Sequence, residues 1–214
     1  MADEIPEDIA AAIQECWPDG VVVEFDPAES YFHQVRPALE RDLQRIPGAA
    51  LRWQTQPQEQ EDWQSYHVYF LALEGTEFEA QSSEDPQTAA PGQGWYGLAV
   101  CVSLAASIAA ADPEEYSQFE DGSETIPDIV TSAYDEDTGE PVDLWAHYRE
   151  LLDEETFARL DDLYGKIAAI LEKHQLALLD RPVLDAPVPA LGVDESLALE
   201  PPISVRDAFF FHGA

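Results

Sequence analysis

With 214 residues, 45% of them hydrophobic and 10% aromatic, the chain carries enough apolar volume for one sizeable core and too much for a wholly disordered protein. Its 44 Asp and Glu against 10 Lys and Arg set a formal net charge of -34. That charge excludes electrostatic binding to nucleic acid or to an anionic membrane and favours cationic partners.

In chain order, Pro6 is placed as a first helical residue, and Ile9, Ile13 and Trp17 recur at helical spacing. This predicts a helix over about 6–16, ended by Pro18-Asp19-Gly20. Val21 to Phe25 reads as a strand closed by Asp26-Pro27. Leu39, Leu43 and Ile46 predict a second helix that begins near Pro37 and stops at Pro47-Gly48.

The middle of the chain reads as β. Leu51, Trp53 and Thr55 alternate with polar residues, and Tyr66 to Leu73 is apolar on both faces, the pattern of a central strand. Thr76, Phe78 and Ala80 alternate with acids, so Leu73-Glu74-Gly75-Thr76 reads as a hairpin turn. A polar loop over 81–94 is followed by one or two buried strands from Trp95 to Ile108, and Ile126 to Ala133 is a further strand candidate.

Helix returns in the last third. Leu144, Tyr148, Leu151 and Leu152 form one amphipathic segment, and Phe157 to Leu171 a longer one over about 154–174. Glu154 and Glu155 at its start and Lys173 and His174 at its end complement the helix dipole. Residues 180–203 are Pro-rich and extended, and Val205 to Phe211 reads as a final strand. The expected fold is a single α+β domain over 1–214: an antiparallel β-meander of four to six strands flanked by N-terminal and C-terminal helices.

Catalytic and cofactor motifs fail one by one. Gly92-Gln93-Gly94-Trp95-Tyr96-Gly97 matches G-x-G-x-x-G, but a polar loop precedes it and a strand follows, where dinucleotide binding needs the reverse. It reads as a glycine-rich turn. Asp135-Glu136-Asp137-Thr138-Gly139-Glu140 resembles the start of a calcium loop, yet Ala146 falls where the bidentate Glu belongs. It reads as a solvated acidic turn, with a weak Ca²⁺ site near Asp135 as the alternative. His147, Glu150 and Glu154 read as the exposed face of a charged helix, and His67 as a satisfied, partly buried ring. No nucleophile elbow, catalytic cysteine context, HExxH or zinc spacing is present, so no enzyme activity, metal or cofactor is expected. Cys16 and Cys101 read as two buried thiols in a reducing compartment, and MADEIPEDIA lacks the character of a signal peptide. A cytoplasmic location follows as the expectation.

The distribution of charge carries the functional reading. From Trp53 to Tyr148 the chain has no Lys or Arg, and these 96 residues hold 20 carboxylates. The densest part, and the candidate partner-binding site, comprises Glu114, Glu115, Tyr116, Phe119, Glu120, Asp121, Glu124, Asp128, Tyr134, Asp135, Glu136, Asp137, Glu140 and Asp143. Carboxylates accept bidentate hydrogen bonds from Arg, and interleaved aromatics anchor such a patch or stack on guanidinium. The expected role is an acidic binding protein that occludes a basic partner protein, as bacterial immunity proteins do to basic toxins. Two alternatives remain at this point: a DNA-mimic inhibitor of a nucleic-acid-binding protein, and a haloadapted or scaffold-type domain whose acids serve solubility.

Overall fold

The computed structural model describes residues 5–26, 30–55, 64–83, 89–125, 127, 142–197, 199 and 201–211. It is an α+β fold built on a mostly antiparallel five-stranded sheet with helices at both ends. Helix α1 (Glu7–Cys16) leads into a two-residue strand β1 (Val21–Val22), which pairs in parallel with β7 (Gly192–Val193). The strand expected to run on to Phe25 therefore stops at Val22.

Helix α2 covers Tyr31–Leu43 and so begins six residues before Pro37, which lies inside it. Ser30 caps it, its side-chain oxygen accepting from the Phe32 N–H. Proline costs a backbone hydrogen bond here, and burial of Phe32 before it and of Leu39 and Leu43 after it carries the helix through.

The sheet has the order β2 (Ala49–Gln54), β3 (Tyr66–Gln81), β4 (Pro91–Ser103), β5 (Ile108–Phe119), β6 (Ala177–Leu178). The first four form an antiparallel meander, and β6 adds a short parallel pairing at Ile108 and Ala109. The hairpin expected at Leu73-Glu74-Gly75-Thr76 is instead a bulge within one 16-residue strand. Gly75 has the positive φ (+75°) that a turn would also demand. Ala72 pairs with Gly97 and Glu77 with Trp95, so five residues on β3 span two on β4. The odd step changes which alternate residues of β3 face which side. Thr76 closes the bulge by donating its hydroxyl to Leu73 O (2.8 Å), Glu74 N–H donates to Gly48 O, and Arg159 donates to Glu74 O.

Gly92, Gly94 and Gly97 lie in β4 rather than in a turn. Beyond the bulge, Phe78 lies where a Cβ on Gly94 would sit, and Phe119 likewise crowds Gly92. Aromatic rings laid over strand glycines supply the packing that the glycines lack. Glu114 to Phe119, part of the candidate partner-binding site, belong to β5. The strand candidate Ile126 to Ala133 lies outside the described residues, apart from Pro127.

Both faces of the sheet are covered over its first half. Helix α2, α3 (Leu144–Leu151) and α4 (Glu154–Lys173) pack on Tyr69, Leu71, Leu98, Val100 and Val102. Helix α1 and the C-terminal segment pack on Tyr66, Val68, Ala99, Cys101 and Ala110. Two-sided burial explains the near-continuous apolar runs in β3 and β4. The C-terminal segment also departs from the extended expectation, for it contains α5 (Arg181–Leu184), and Val205–Phe209 is helix α6, not a strand. Ser204 and Asp207 form a reciprocal capping box at its start. Among the described residues no helix is long and apolar enough to cross a membrane.

Candidate partner-binding site on the sheet arm

Strands β3, β4 and β5 continue past the covered half of the sheet as a three-stranded arm. The registers define three rows of side chains on its first face, the face that α1 covers further along: Glu77–Trp95–Tyr116, then Glu79–Gln93–Gln118, then Gln81–Pro91 with Glu120 beside them. Successive rows lie about 7 Å apart, two residues along the strands. The second and third rows, with Trp95 of the first, line an open groove of about 930 Å³, Trp95 lying at its inner end.

The groove meets the body through an aromatic cluster. Phe70, Ala72, Trp95 and Tyr116 are buried together, with Trp53 packed against them. Trp95 and Tyr116 stack with ring centroids 5.9 Å apart, and Phe70 lies 5.5 Å from Tyr116. Glu124 accepts from both: Trp53 Nε1 donates to Oε1 (2.8 Å) and the Tyr116 hydroxyl to Oε2 (2.6 Å). Gln118 Nε2 donates in turn to the Tyr116 oxygen (2.6 Å). Burial first, and then the Glu124 carboxylate, hold the Tyr116 phenol proton well above its usual range. The Arg52 guanidinium lies 4.7 Å from the Trp95 ring centroid, a cation–π distance.

The expected site residues divide into six groups. Glu120 lies on the groove, and Phe119 borders it from the other face. Tyr116 is not a surface anchor: at 1% exposure it belongs to the buried cluster, with Glu124 held against it. Glu114 and Glu115 are half-buried on β5, and burial pushes the Glu115 carboxyl up, partly countered by His147. Asp121 sits in the exposed turn after β5, where the Ser123 hydroxyl and N–H hold its carboxyl below the usual range. Asp143 is spent as the cap of α3, accepting from Ala146 N–H (3.0 Å). Asp128, Tyr134, Asp135, Glu136, Asp137 and Glu140 lie outside the described residues, as does the calcium-loop resemblance at Asp135.

Sequence reasoning did not pick out Glu79, Gln81, Gln93, Trp95 and Gln118 as members of the site. The available signal was the alternation Glu77, Glu79, Gln81, which marks one polar strand face; that Gln93 and Gln118 stand beside it depends on register alone. His67 also departs from expectation. It is buried at 5% exposure with Nε2 unpaired, and burial, helped by Arg36 and His33, lowers its pKa to about 3.

The ion pairs lie elsewhere. Arg36 pairs with Glu40, Lys166 with Asp162, Lys173 and His174 with Asp42, and Arg181 and Arg206 with Asp185. Among the described residues none of these pairs includes Glu77, Glu79, Glu120, Asp121 or Glu124. No family model, curated protein or solved structure matches this chain.

Proposed function

We propose that this protein binds a cation-rich partner protein through the sheet arm and occludes a basic site on it, as an immunity protein does to a basic toxin. The observation that carries this reading is the split in ion pairing. Glu40, Asp42, Asp162 and Asp185 on the helices and the C-terminal segment pair with the protein's own cations, whereas the arm presents Glu77, Glu79, Glu120 and Asp121, none of them a member of those pairs, with Arg52 as its neighbouring cation. A solubility role predicts no such division. Unmatched carboxylates on a projecting β-surface attract a basic partner over about 10 Å at 0.1 M salt and lose that attraction as salt rises.

The test is a low-salt pull-down from lysate of the source organism, followed by titration of the purified basic protein it retains. Glu77→Gln/Glu79→Gln/Glu120→Gln is expected to weaken that protein's binding at least tenfold. A control carrying Glu154→Gln/Glu155→Gln/Asp161→Asn on α4 is expected to leave it within twofold. Retention of no basic protein, or equal losses in the two variants, overturns the reading.

A further inference from the structure

We infer that the outer edge of β3 in the arm takes up an extended segment of the partner as an added β-strand, whose side chains alternate basic and apolar. This rests on the reading above and names how the partner engages the arm. The observation that carries it is a strand edge whose backbone groups are left open.

Strand β2 covers the outer edge of β3 as far as Glu74, whose N–H donates to Gly48 O at 3.0 Å. Past the bulge, β3 pairs with β4 on its inner side from Glu77 to Gln81. Among the described residues no strand pairs with this stretch on its outer side. The ladder tells which backbone groups face outward. Ser82 N–H donates inward to Ala90 O, next to the Gln81–Pro91 pair. Hydrogen-bonded and non-hydrogen-bonded pairs alternate along antiparallel strands. Ala80 and Phe78 therefore also turn their N–H and C=O inward to β4, and Gln81, Glu79 and Glu77 turn theirs outward. The next ladder agrees, for Pro91 O accepts from Glu120 N–H, so Pro91 faces β5 and not β3. Glu77, Glu79 and Gln81 are exposed, and the edge they form is about 17 Å long.

Such an edge is a template for strand addition, in which main-chain hydrogen bonds give affinity and alternate side chains give specificity. The flanking side chains fix what the added strand carries. Residues opposite Glu77 and Glu79 project to the same side as these carboxylates, with Cα atoms about 5.5 Å away. Lysine or arginine there forms cross-strand pairs of opposite charge. Residues between them fall on the other side, beside the half-buried Phe78 and Ala80, where an apolar side chain suits. A second copy of this chain is a poor occupant. Edge-to-edge pairing brings the Glu77 and Glu79 carboxylates of the two copies together, between molecules that each carry a net charge of -34. The backbone groups thus select an extended peptide, and the carboxylates set its charge pattern.

Two capped peptides of one composition decide the matter, Lys and Val in strict alternation and the same residues in two blocks. Each is titrated at low salt against the full-length protein, with amide hydrogen exchange followed by NMR. The alternating peptide is expected to bind at least fivefold tighter. Its binding is expected to slow exchange of the Glu79 and Gln81 amides at least tenfold and to change Phe78 and Ala80, already bonded to β4, far less. Gln81→Pro removes an outward N–H without altering charge or the β4 ladder, and is expected to weaken the alternating peptide at least threefold. Equal affinity for the two peptides, an unchanged affinity in Gln81→Pro, or binding without slowed exchange at Glu79 and Gln81 overturns the edge inference and leaves the acidic-surface reading standing. Protection of those two amides that grows with protein concentration before any peptide is added overturns it in favour of self-pairing. Binding of neither peptide overturns the inference, and only an empty pull-down as well overturns the reading beneath it.

Discussion

The same three strands live in two environments, and the contrast between them organises this molecule. In the body of the sheet, Tyr66 to Leu73 and Gly97 to Ser103 are buried on both faces and read as apolar runs. In the arm, Glu77, Glu79 and Gln81 are exposed on one face while Phe78 and Phe119 shield glycines on the other. The change falls at the bulge over 73–76, where α4 reaches across through Arg159. A bulge sets the side from which each later residue projects, so it puts the glutamates on the groove side. Ionisable groups obey the same division. In the body they are enclosed and energetically expensive, and on the arm they are open to solvent and free to meet a partner.

The largest expected effect tests the enclosed half. His67 has its pKa lowered to about 3 in the folded body against 6.5 when unfolded. Between these values the unfolded chain binds the extra proton, so stability rises with pH; the contribution is complete above 6.5 and is lost as pH falls towards 3. The loss is of the order of 4 kcal/mol. His67→Phe is expected to remove most of that acid dependence in denaturation curves taken from pH 7 to pH 4. An unchanged slope would show that His67 is not enclosed as described.

Packing separates the two halves next. A Cβ on Gly97 meets backbone, 2.2 Å from Leu71 O and 2.9 Å from Ala72 Cα, whereas on Gly94 it meets the Phe78 ring at 2.2 Å. Backbone in a doubly buried sheet has nowhere to go, while the ring of a half-exposed phenylalanine swings aside. Gly97→Ala is therefore expected to cost about 3 kcal/mol and Gly94→Ala about 1 kcal/mol by chemical denaturation. Equal losses would erase the distinction between body and arm.

Asp112 has the opposite pH dependence to His67. Burial raises its pKa to about 6, with Arg181 and Arg206 opposing the shift. The folded state then holds a proton that the unfolded state releases above about 3.8, so stability falls as pH rises from 4 through 6. Asp112→Asn is expected to stabilise the protein by about 2 kcal/mol at pH 7 and by almost nothing at pH 3, measured by thermal melts. The smallest effect lies at the join of the two regions. Tyr116→Phe removes the hydroxyl between Glu124 and Gln118 and is expected to cost about 1 kcal/mol. A loss well above that would mean the join holds the arm in place and does not merely border it.

Much of this molecule was readable locally. Helix α4 was legible at both ends because its stripe of Leu160, Leu163, Ile167 and Leu171 repeats at helical spacing, with acids at its start and a lysine at its end. The acidic, cation-free stretch that contains β3, β4 and β5 was equally plain. Other segments misled for identifiable reasons. Leu73-Glu74-Gly75-Thr76 has turn chemistry, and a bulge uses the same glycine as a hairpin. Val205 to Phe211 is so thoroughly buried that its residues show no periodicity, leaving the Ser204–Asp207 capping box as the sole local sign of helix.

The sequence by itself determined the α+β character, the elements with a one-sided apolar stripe, and the region where negative charge goes unmatched. Each of these is a property of neighbours along the chain. Tertiary structure alone decided that Glu79, Gln93 and Gln118 share a row, that Glu124 is bound by Trp53 and Tyr116, and that Asp143 caps a helix. Those facts depend on register between strands far apart in sequence, where a shift of one residue turns every side chain to the other face.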